Sequence, residues 1–275
     1  MRRDEHRVIA APQWAPLIDR YLLFHGSTGR PQHTNYLRSY HLRRLSQAVR
    51  DPMTASLDDL LEHLASGAWG GSTRRSVRSS IRGFFHWLHI TGQRAEDPAA
   101  LIPTVSAPRG MPRPADDDAL TAAMLKADPR ARFMLRLAAE AGLRCCEIAV
   151  VHSSDVRGVR DSYSLLVHGK GGRERLVPIS NVLAGDVSTA DGFLFPGQID
   201  GHLSAHYVSK IISRALPAPF TAHQLRHRFA TRTLRHAGGN LIIVQRLLGH
   251  ASVATTQIYA DVDGEQLRDA VQWAA

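Results

Sequence analysis

Arginine and histidine side chains in the C-terminal half stand in short motifs suited to holding a phosphodiester. Arg144 lies in Ala-Gly-Leu-Arg-Cys-Cys-Glu-Ile, and Arg226 follows His223 in His-Gln-Leu-Arg-His. Cleavage of a phosphodiester puts negative charge on the non-bridging oxygens, which fixed cations must neutralise, and on the leaving oxygen, which must be protonated. Arginine suits the first task because it is always charged and its donors form a rigid fork. Glu147, three residues after Arg144, could hold that guanidinium in place.

Three further side chains could supply the proton transfer and the nucleophile. Lys170 lies in Gly-Lys-Gly-Gly-Arg, His250 ends Leu-Gly-His, and Tyr259 follows nine residues later. Lysine can titrate, whereas arginine is the wrong residue type for a proton donor. A tyrosine hydroxyl has an ordinary pKa of about 10 and needs nearby cations or a base to become a nucleophile. Each motif also has an ordinary structural explanation: a flexible basic turn, a histidine at a helix end, or a half-buried aromatic side chain.

Together, and in this order, the motifs resemble those of the tyrosine recombinases, also called the phage integrase family. The resemblance covers about residues 115–262 sharply and 13–100 loosely. It implies that Arg144, Arg226 and His250 hold the scissile phosphate while Tyr259 attacks it to form a 3′-phosphotyrosyl bond. Lys170 would protonate the departing 5′-oxygen and His223 would assist proton transfer at the tyrosine. Both residues between Arg144 and Glu147 are cysteine, where the family usually has an aliphatic and a small polar residue.

The resemblance also implies the partners and the subclass. We expect double-stranded DNA as the substrate. The protein would be a monomer free in solution and a homotetramer on two DNA duplexes during recombination. An accessory directionality factor can bind to that complex. A helix predicted at 264–272 would dock on a neighbouring protomer or on its own domain.

The short segment before residue 13 leaves no room for an arm-binding domain, and the N-terminal half does not closely resemble Xer proteins. We therefore favour a compact phage or mobile-element integrase. The alternatives are a Xer-like recombinase, a type IB topoisomerase, and a DNA-binding regulator without catalysis.

Metal and nucleotide cofactors are not expected. His223 and His227 are four residues apart, but no glutamate follows His223 and no third ligand is evident. The glycine-rich turn around Lys170 lacks the spacing of a nucleotide-binding P-loop. Cys145 and Cys146 are adjacent, which disfavours a disulfide, and we interpret them as small apolar side chains in a reducing compartment.

The elements that must position these residues form two predicted domains. Residues 103–114 contain four prolines and a glycine, so we predict a linker there between a helical DNA-binding domain at 1–102 and a catalytic domain at 115–275. The predicted fold class is mainly α with a small antiparallel sheet in the catalytic domain, and by the resemblance the two domains clamp DNA. Thr221 and Gln224 predict a capping box that places His223 in the first turn of a helix and Arg226 in the second. Helices are predicted at 13–24, 32–50, 57–65, 72–90, 116–126, 130–141, near 144, and at 202–214, 221–237 and 240–248, and strands at 163–167 and 175–179.

The arginines suggest where DNA would bind. Arg74, Arg78 and Arg82 recur at helical spacing on one face of the 72–90 helix, while Val77, Ile81, Phe84, Phe85 and Leu88 form its apolar stripe. A solvated basic face explains the pattern equally well. The resemblance favours phosphate contacts, and Arg173, beside Lys170, joins this predicted DNA-binding set.

Composition agrees with a DNA-binding protein. The 275-residue chain is 44% hydrophobic, carries a formal charge of +9, and has only three lysines. Residues 1–112 hold 15 Lys and Arg against 9 Asp and Glu, so the N-terminal half is the more basic. A positive balance favours an anionic partner. No apolar run approaches the roughly 20 residues of a membrane span, and the N-terminus is not of signal-peptide type. We therefore expect a cytoplasmic protein.

Overall fold

The computed structural model describes residues 8–29, 32–106, 114–169 and 172–249. The chain divides into two compact units, residues 1–109 and 110–275. The division falls within the proline-rich segment 103–114, and most of that segment lies outside the described residues. The roles assigned to the two domains remain predictions.

Helices make up the regular structure of the described part of the N-terminal unit. Its core centres on the last helix, where all five residues of the predicted apolar stripe are buried. Trp14 stacks on Phe84 with ring centroids 5.4 Å apart, and its indole N–H donates to Val49 O at 2.8 Å. The four predicted helices are confirmed, with ends displaced by at most three residues: α1 Ala15–Ser27, α2 Gln32–Ala48, α3 Leu57–Ser66 and α4 Gly71–Ile90.

The C-terminal unit combines helices with a small sheet. Its helices are α5 Asp117–Lys126, α6 Pro129–Glu140, α7 Cys145–Ala149, α8 Asn181–Ser188, α9 Ala205–Ala215, α10 Ala222–His236 and α11 Leu241–Leu248. A 3₁₀ turn spans Ser153–Asp155, and the strands are β1 Val156–Arg157, β2 Ser164–His168, β3 Glu174–Pro178 and β4 Pro196–Ile199. The sheet has the antiparallel order β1-β2-β3. The predicted fold class, mainly helical with a small antiparallel sheet, is confirmed.

Helix α6 forms the centre of this unit. Met134, Leu135, Leu137 and Ala138 are fully buried in its core. The chain leaves α6 at Gly142, where φ is +64°. A non-glycine residue rarely adopts that conformation. Gly142 therefore lies between the helices predicted at 130–141 and near 144, and it directs the chain into α7.

Strands β2 and β3 form an antiparallel hairpin around the predicted turn. The ends of each strand differ by one residue from the predicted bounds. Leu165, Val167 and Val177 face the core, and His168 pairs with Glu174 at the end of the ladder. Gly169 N donates to Arg173 O at 2.7 Å just beyond that pair. The hairpin therefore closes at residues 169 and 173, on either side of Lys170, which itself lies outside the described residues.

The sequence patterns predict no element at residues 181–188, yet α8 forms there. Ser180 caps its first turn, and Leu183, Ala184 and Val187 are buried. No helix in the described ranges is long and apolar enough to cross a membrane.

Candidate active site

Arg144 is held at the start of α7 by both its backbone and its side chain. As the N-cap residue it has extended backbone angles, φ −76° and ψ 157°. Its N–H donates to Glu147 Oε2 and its Nη1 to Glu147 Oε1, both at 2.8 Å. The side chain is 40% exposed. One edge of the guanidinium is therefore fixed on protein while the group still reaches solvent.

Glu147 is the centre of a buried ionic cluster. Its side chain has no solvent exposure. Arg175 binds both of its oxygens, Nη1 to Oε1 and Nη2 to Oε2, each at 2.8 Å. Arg226 Nη1 lies 3.6 Å from Oε2. We call Arg144, Glu147, Arg175 and Arg226 the Glu147 cluster.

The arginines keep the Glu147 carboxyl ionised. Burial alone would raise its pKa, but the hydrogen bonds from Arg175 and from the Arg144 N–H outweigh burial and lower the pKa below its ordinary value. A buried carboxylate is tolerated when cations and hydrogen bonds surround it. Glu147 can therefore orient the guanidinium groups as a permanent anion.

Helix α10 begins with the predicted capping box and positions two more candidates. Thr221 N donates to Gln224 Oε1 at 3.0 Å, and the Thr221 hydroxyl oxygen accepts from His223 N at 3.3 Å. The cap is confirmed, and it puts His223 and Arg226 in the first turns. The Arg226 side chain is 4% exposed. It donates to Gly142 O and, at 2.6 Å, to Leu248 O.

The end of α11 lies against the same cluster. Its last carbonyls accept from three arginines: Leu248 O from Arg226 and, at 3.4 Å, from Arg144, and Leu247 O from Arg175 Nε at 2.7 Å. The helix ends at Leu248, as predicted, and Gly249 follows as a left-handed C-cap with a φ of +63°. His250, the next residue, lies outside the described residues, as do Tyr259 and the predicted helix at 264–272.

Two histidines of α10 are kept neutral by their surroundings. Burial lowers the pKa of His223, and Arg226 and Arg144 lower it further. Burial, together with His223 and Arg226, lowers the pKa of His227 to about 4. The two rings pack with centroids 4.1 Å apart. A neutral imidazole at His223 can accept a proton. The described residues contain no group of three or more side chains suited to binding a metal.

The structure thus brings together four of the predicted site residues: Arg144, Glu147, His223 and Arg226. The chain neighbours of two others also lie at the cluster. A Cβ on Gly169 would be 3.9 Å from Glu147 Oε1, and one on Gly249 would be 3.0 Å from Arg175 Cδ. The segments that lead into Lys170 and His250 therefore both meet the Glu147 cluster.

Arg175 belongs to the site but is absent from the predicted set. Arginine is the wrong residue type for a proton donor, so Arg175 has no role in the mechanism that the resemblance implies. One signal was available. Strand alternation places Arg175 on the same face as buried Val177, and it pairs directly with buried Val167. An arginine on an inward strand face calls for an acidic partner.

The predicted DNA-binding arginines differ in what they contact. Arg82 and Arg173 are exposed. Arg78 donates Nε to Pro103 O at 2.5 Å and Nη2 to Ile102 O at 2.7 Å, at the C-terminal end of its unit. Arg74 is half-buried and donates to Gly67 O at 3.3 Å. Arg82 and Arg173 are therefore the better placed of the four for a phosphate.

The two thiols of α7 also differ. Cys145 is half-buried, whereas Cys146 is exposed, and both are free. Burial raises the pKa of Cys145, so that thiol stays protonated at neutral pH. The interpretation as a small apolar side chain suits Cys145 better than Cys146.

Comparison with known proteins identifies the family. The profile of the phage integrase family matches residues 114–266. Tyrosine recombinase XerC of Chromobacterium violaceum is 34% identical over 280 residues, covering 91% of each chain. Tyrosine recombinase XerD of Caulobacter vibrioides is 29% identical over 259 residues, covering 84% of each. A lambda integrase dimer solved bound to a COC′ core site has the same fold, with a TM-score of 0.73 at 19% identity, over 93% of this chain and 79% of that one. The chain belongs to the phage integrase family and is an enzyme of the tyrosine recombinase class.

Proposed function

We propose that the protein is a site-specific DNA recombinase that cleaves and rejoins strands through a 3′-phosphotyrosine at Tyr259. The observation that carries the proposal is the Glu147 cluster. It fixes Arg144 and Arg226 around one carboxylate and meets the segments leading into Lys170 and His250. Two oriented guanidinium groups can neutralise the charge that develops on a phosphate in the transition state.

The chemistry follows from the proposed roles. The Tyr259 oxygen attacks phosphorus, a tyrosine–phosphorus bond forms, and the bond to the 5′-oxygen breaks. His223 receives the tyrosine proton and Lys170 gives a proton to the 5′-oxygen. Arg144, Arg226 and His250 hold the non-bridging oxygens throughout. Because the ester is exchanged rather than hydrolysed, a 5′-hydroxyl of a partner strand can reverse the step without ATP.

DNA binding and assembly complete the proposal. Arg82 and Arg173 would contact the DNA backbone as exposed cations, with Arg74 and Arg78 contributing if DNA displaces their carbonyl partners. The two units would close around a half-site, and four protomers on two duplexes would exchange strands. A DNA substrate agrees with the cytoplasmic location predicted from the sequence.

Two subclasses remain as proposals. A compact phage or mobile-element integrase is the first, and it is the subclass favoured by the short segment before residue 13. A Xer-like recombinase that resolves chromosome or plasmid dimers is the second. The alignment to the C. violaceum XerC covers 91% of this chain and so extends into its N-terminal half. An alignment of that extent supports the Xer-like role as much as the integrase role.

The decisive experiment detects the covalent intermediate. Purified protein is incubated without magnesium or ATP with fragments of its source genome, denatured with detergent, and the DNA attached to protein is sequenced. We expect sharp attachment points at paired inverted half-sites with the wild type and none with Tyr259→Phe. The location of the sites would separate an attachment site from a dimer-resolution site. Specific binding without any tyrosine-dependent adduct would contradict the proposal and favour a DNA-binding regulator.

A further inference from the structure

All three guanidinium nitrogens of Arg175 donate hydrogen bonds to protein, and the side chain is largely buried. Nη1 and Nη2 bind the two oxygens of Glu147, and Nε binds Leu247 O. The side chain is 11% exposed, compared with 40% for Arg144. Because Nε, Nη1 and Nη2 all bind the Glu147 carboxylate or an α11 carbonyl, the effect of Arg175 on chemistry passes through the groups that it binds.

The groups bound by Arg175 come from separate parts of the chain. Glu147 lies on α7 and holds Arg144, and it also faces Arg226 of α10. Leu247 lies in the last turn of α11, two residues before Gly249. Arg175 itself lies on β3, two residues after the hairpin closes. One side chain therefore ties the hairpin to the helices that carry the phosphate-holding arginines and to the end of α11.

Charge in the cluster also depends on Arg175. Its guanidinium binds both oxygens of Glu147, whereas Arg144 binds one of them through Nη1 and the other through its backbone N–H. Without Arg175, the buried carboxylate would attract the guanidinium groups of Arg144 and Arg226 more strongly. Those two groups are the ones proposed to hold the phosphate. Arg175 thus lets Glu147 orient the other two arginines without neutralising them fully.

We propose that Arg175 is a positioning residue for strand cleavage, which holds the Glu147 carboxylate and the end of α11 so that Arg144 and Arg226 face the scissile phosphate. The proposal rests on the recombinase function proposed above. The side chain does not touch substrate, so its loss should slow the chemical step at saturating DNA rather than weaken binding. Lysine should not replace it, because one ammonium cannot bind two carboxylate oxygens and a carbonyl in this planar arrangement.

The test compares Arg175→Lys and Arg175→Met with the wild type and with Arg136→Met. Arg136 is a suitable control because it is a partly buried arginine of α6 that binds two carboxylates, Glu140 and Asp186, and neither belongs to the site. Melting temperature and half-site affinity are measured first. Single-turnover cleavage is then measured at saturating DNA on a nicked substrate whose cleaved fragment diffuses away.

We expect both Arg175 variants to bind a half-site within about 3-fold of the wild type and to cleave it roughly 10- to 100-fold more slowly, the usual cost of losing a group that orients an active-site ligand. Arg136→Met should cleave at the wild-type rate. A second substrate carries an uncharged methylphosphonate at the scissile position. If Arg175 acts through the phosphate-holding arginines, the loss on this substrate should shrink by about tenfold, because there is less charge to neutralise.

Three results would overturn the role of Arg175. One is cleavage within about 3-fold of the wild type by a folded Arg175 variant. Another is an equal loss on the phosphate and the methylphosphonate, which indicates general distortion of the site. The third is a loss that disappears once DNA binding is saturated. If Arg175→Met does not fold, Arg175→Lys and the double variant Glu147→Gln, Arg175→Met, in which the unpaired buried charge is removed, provide the same comparison. A wild-type protein that forms no adduct would instead overturn the proposed function.

Discussion

At the scale of single residues, His41 links the packing of the N-terminal unit to pH. It is buried between α2 and α4, with 4% exposure, and its Nδ1 lies 2.9 Å from Ser80 Oγ. Burial, with smaller contributions from Arg38, Arg44 and His63, lowers its pKa to about 4. The folded unit therefore resists protonation at a position that the unfolded chain protonates near pH 6.5.

Acid should destabilise the N-terminal unit through His41. Because the folded pKa is below the unfolded one, the contribution is complete above about pH 6.5 and is lost as pH falls towards 4. Over that window it amounts to about 3 kcal/mol in the free energy of unfolding. Urea unfolding followed by tryptophan fluorescence at several pH values should show a smaller loss for His41→Gln than for the wild type. Parallel pH profiles for the two proteins would show that His41 does not control this loss.

Sequence reasoning at this scale works where a residue's type limits its chemistry. Arg144, His223 and Arg226 stand out because fixed cations and a titrating imidazole suit a phosphate, and the fold brings them together. Strand alternation could have indicated an acidic partner for Arg175, but not its second partner, a main-chain carbonyl 72 residues away. No local pattern records a contact between a strand and the end of a distant helix.

At the scale of elements, turns and caps position the site. Gly142 ends the approach to α7, Gly249 ends α11, and Thr221 begins α10. The cap at Thr221 and the helix ends before Gly142 and Gly249 are predicted from sequence to within one residue, because turn and cap residues act through their own backbone geometry. Helix α8 was not predicted, because its eight residues include Gly185 and too few turns to show a helical period. Its stability comes from the burial of Leu183, Ala184 and Val187 in the core.

Replacing Gly142 by alanine should damage the site from a distance. Its φ of +64° is unfavourable for alanine, and a Cβ there would overlap the ring of Phe229. We expect Gly142→Ala to destabilise the C-terminal unit by about 1–3 kcal/mol. Cleavage should also slow, because the Gly142 carbonyl accepts from Arg226.

The matched control for this change is Gly185→Ala. Gly185 lies within α8, and a Cβ there would meet nothing within 4 Å. Alanine should be neutral or stabilise that helix by up to about 1 kcal/mol. Thermal unfolding and single-turnover cleavage would be measured for both variants. A Gly142→Ala protein as stable as Gly185→Ala would refute the backbone argument.

At the scale of the whole molecule, charge is the property that the sequence states most directly. The formal charge is +9, and the N-terminal half is the more basic. The sequence alone does not show which arginines remain available. The structure distinguishes exposed Arg82 from Arg78, which already binds the Ile102 and Pro103 carbonyls. Identical residue types on one helix face thus have different capacities for DNA.

Salt dependence should report this difference. Each phosphate contact contributes a slope of about −0.9 to a plot of log affinity against log salt concentration. Arg82→Gln should lower the magnitude of the slope for half-site binding by about that amount. Arg20→Gln, which alters an exposed arginine of α1 outside the predicted DNA-contacting set, should leave it unchanged. Equal slopes for all three proteins would remove Arg82 from the DNA interface.

The carbonyls at the end of α11 have a consequence for how such sites diverge. Leu247 and Leu248 accept hydrogen bonds from the arginines through their main-chain oxygens, which every amino acid provides. The side chain at half-buried Leu247 can therefore change during evolution while its carbonyl still binds Arg175, whereas Gly249 and the arginines are constrained. Saturation mutagenesis should find Leu247 more permissive than buried Leu248 and than Gly249. Sequence identity would then underestimate how well the contacts at the end of α11 are preserved among distant homologues.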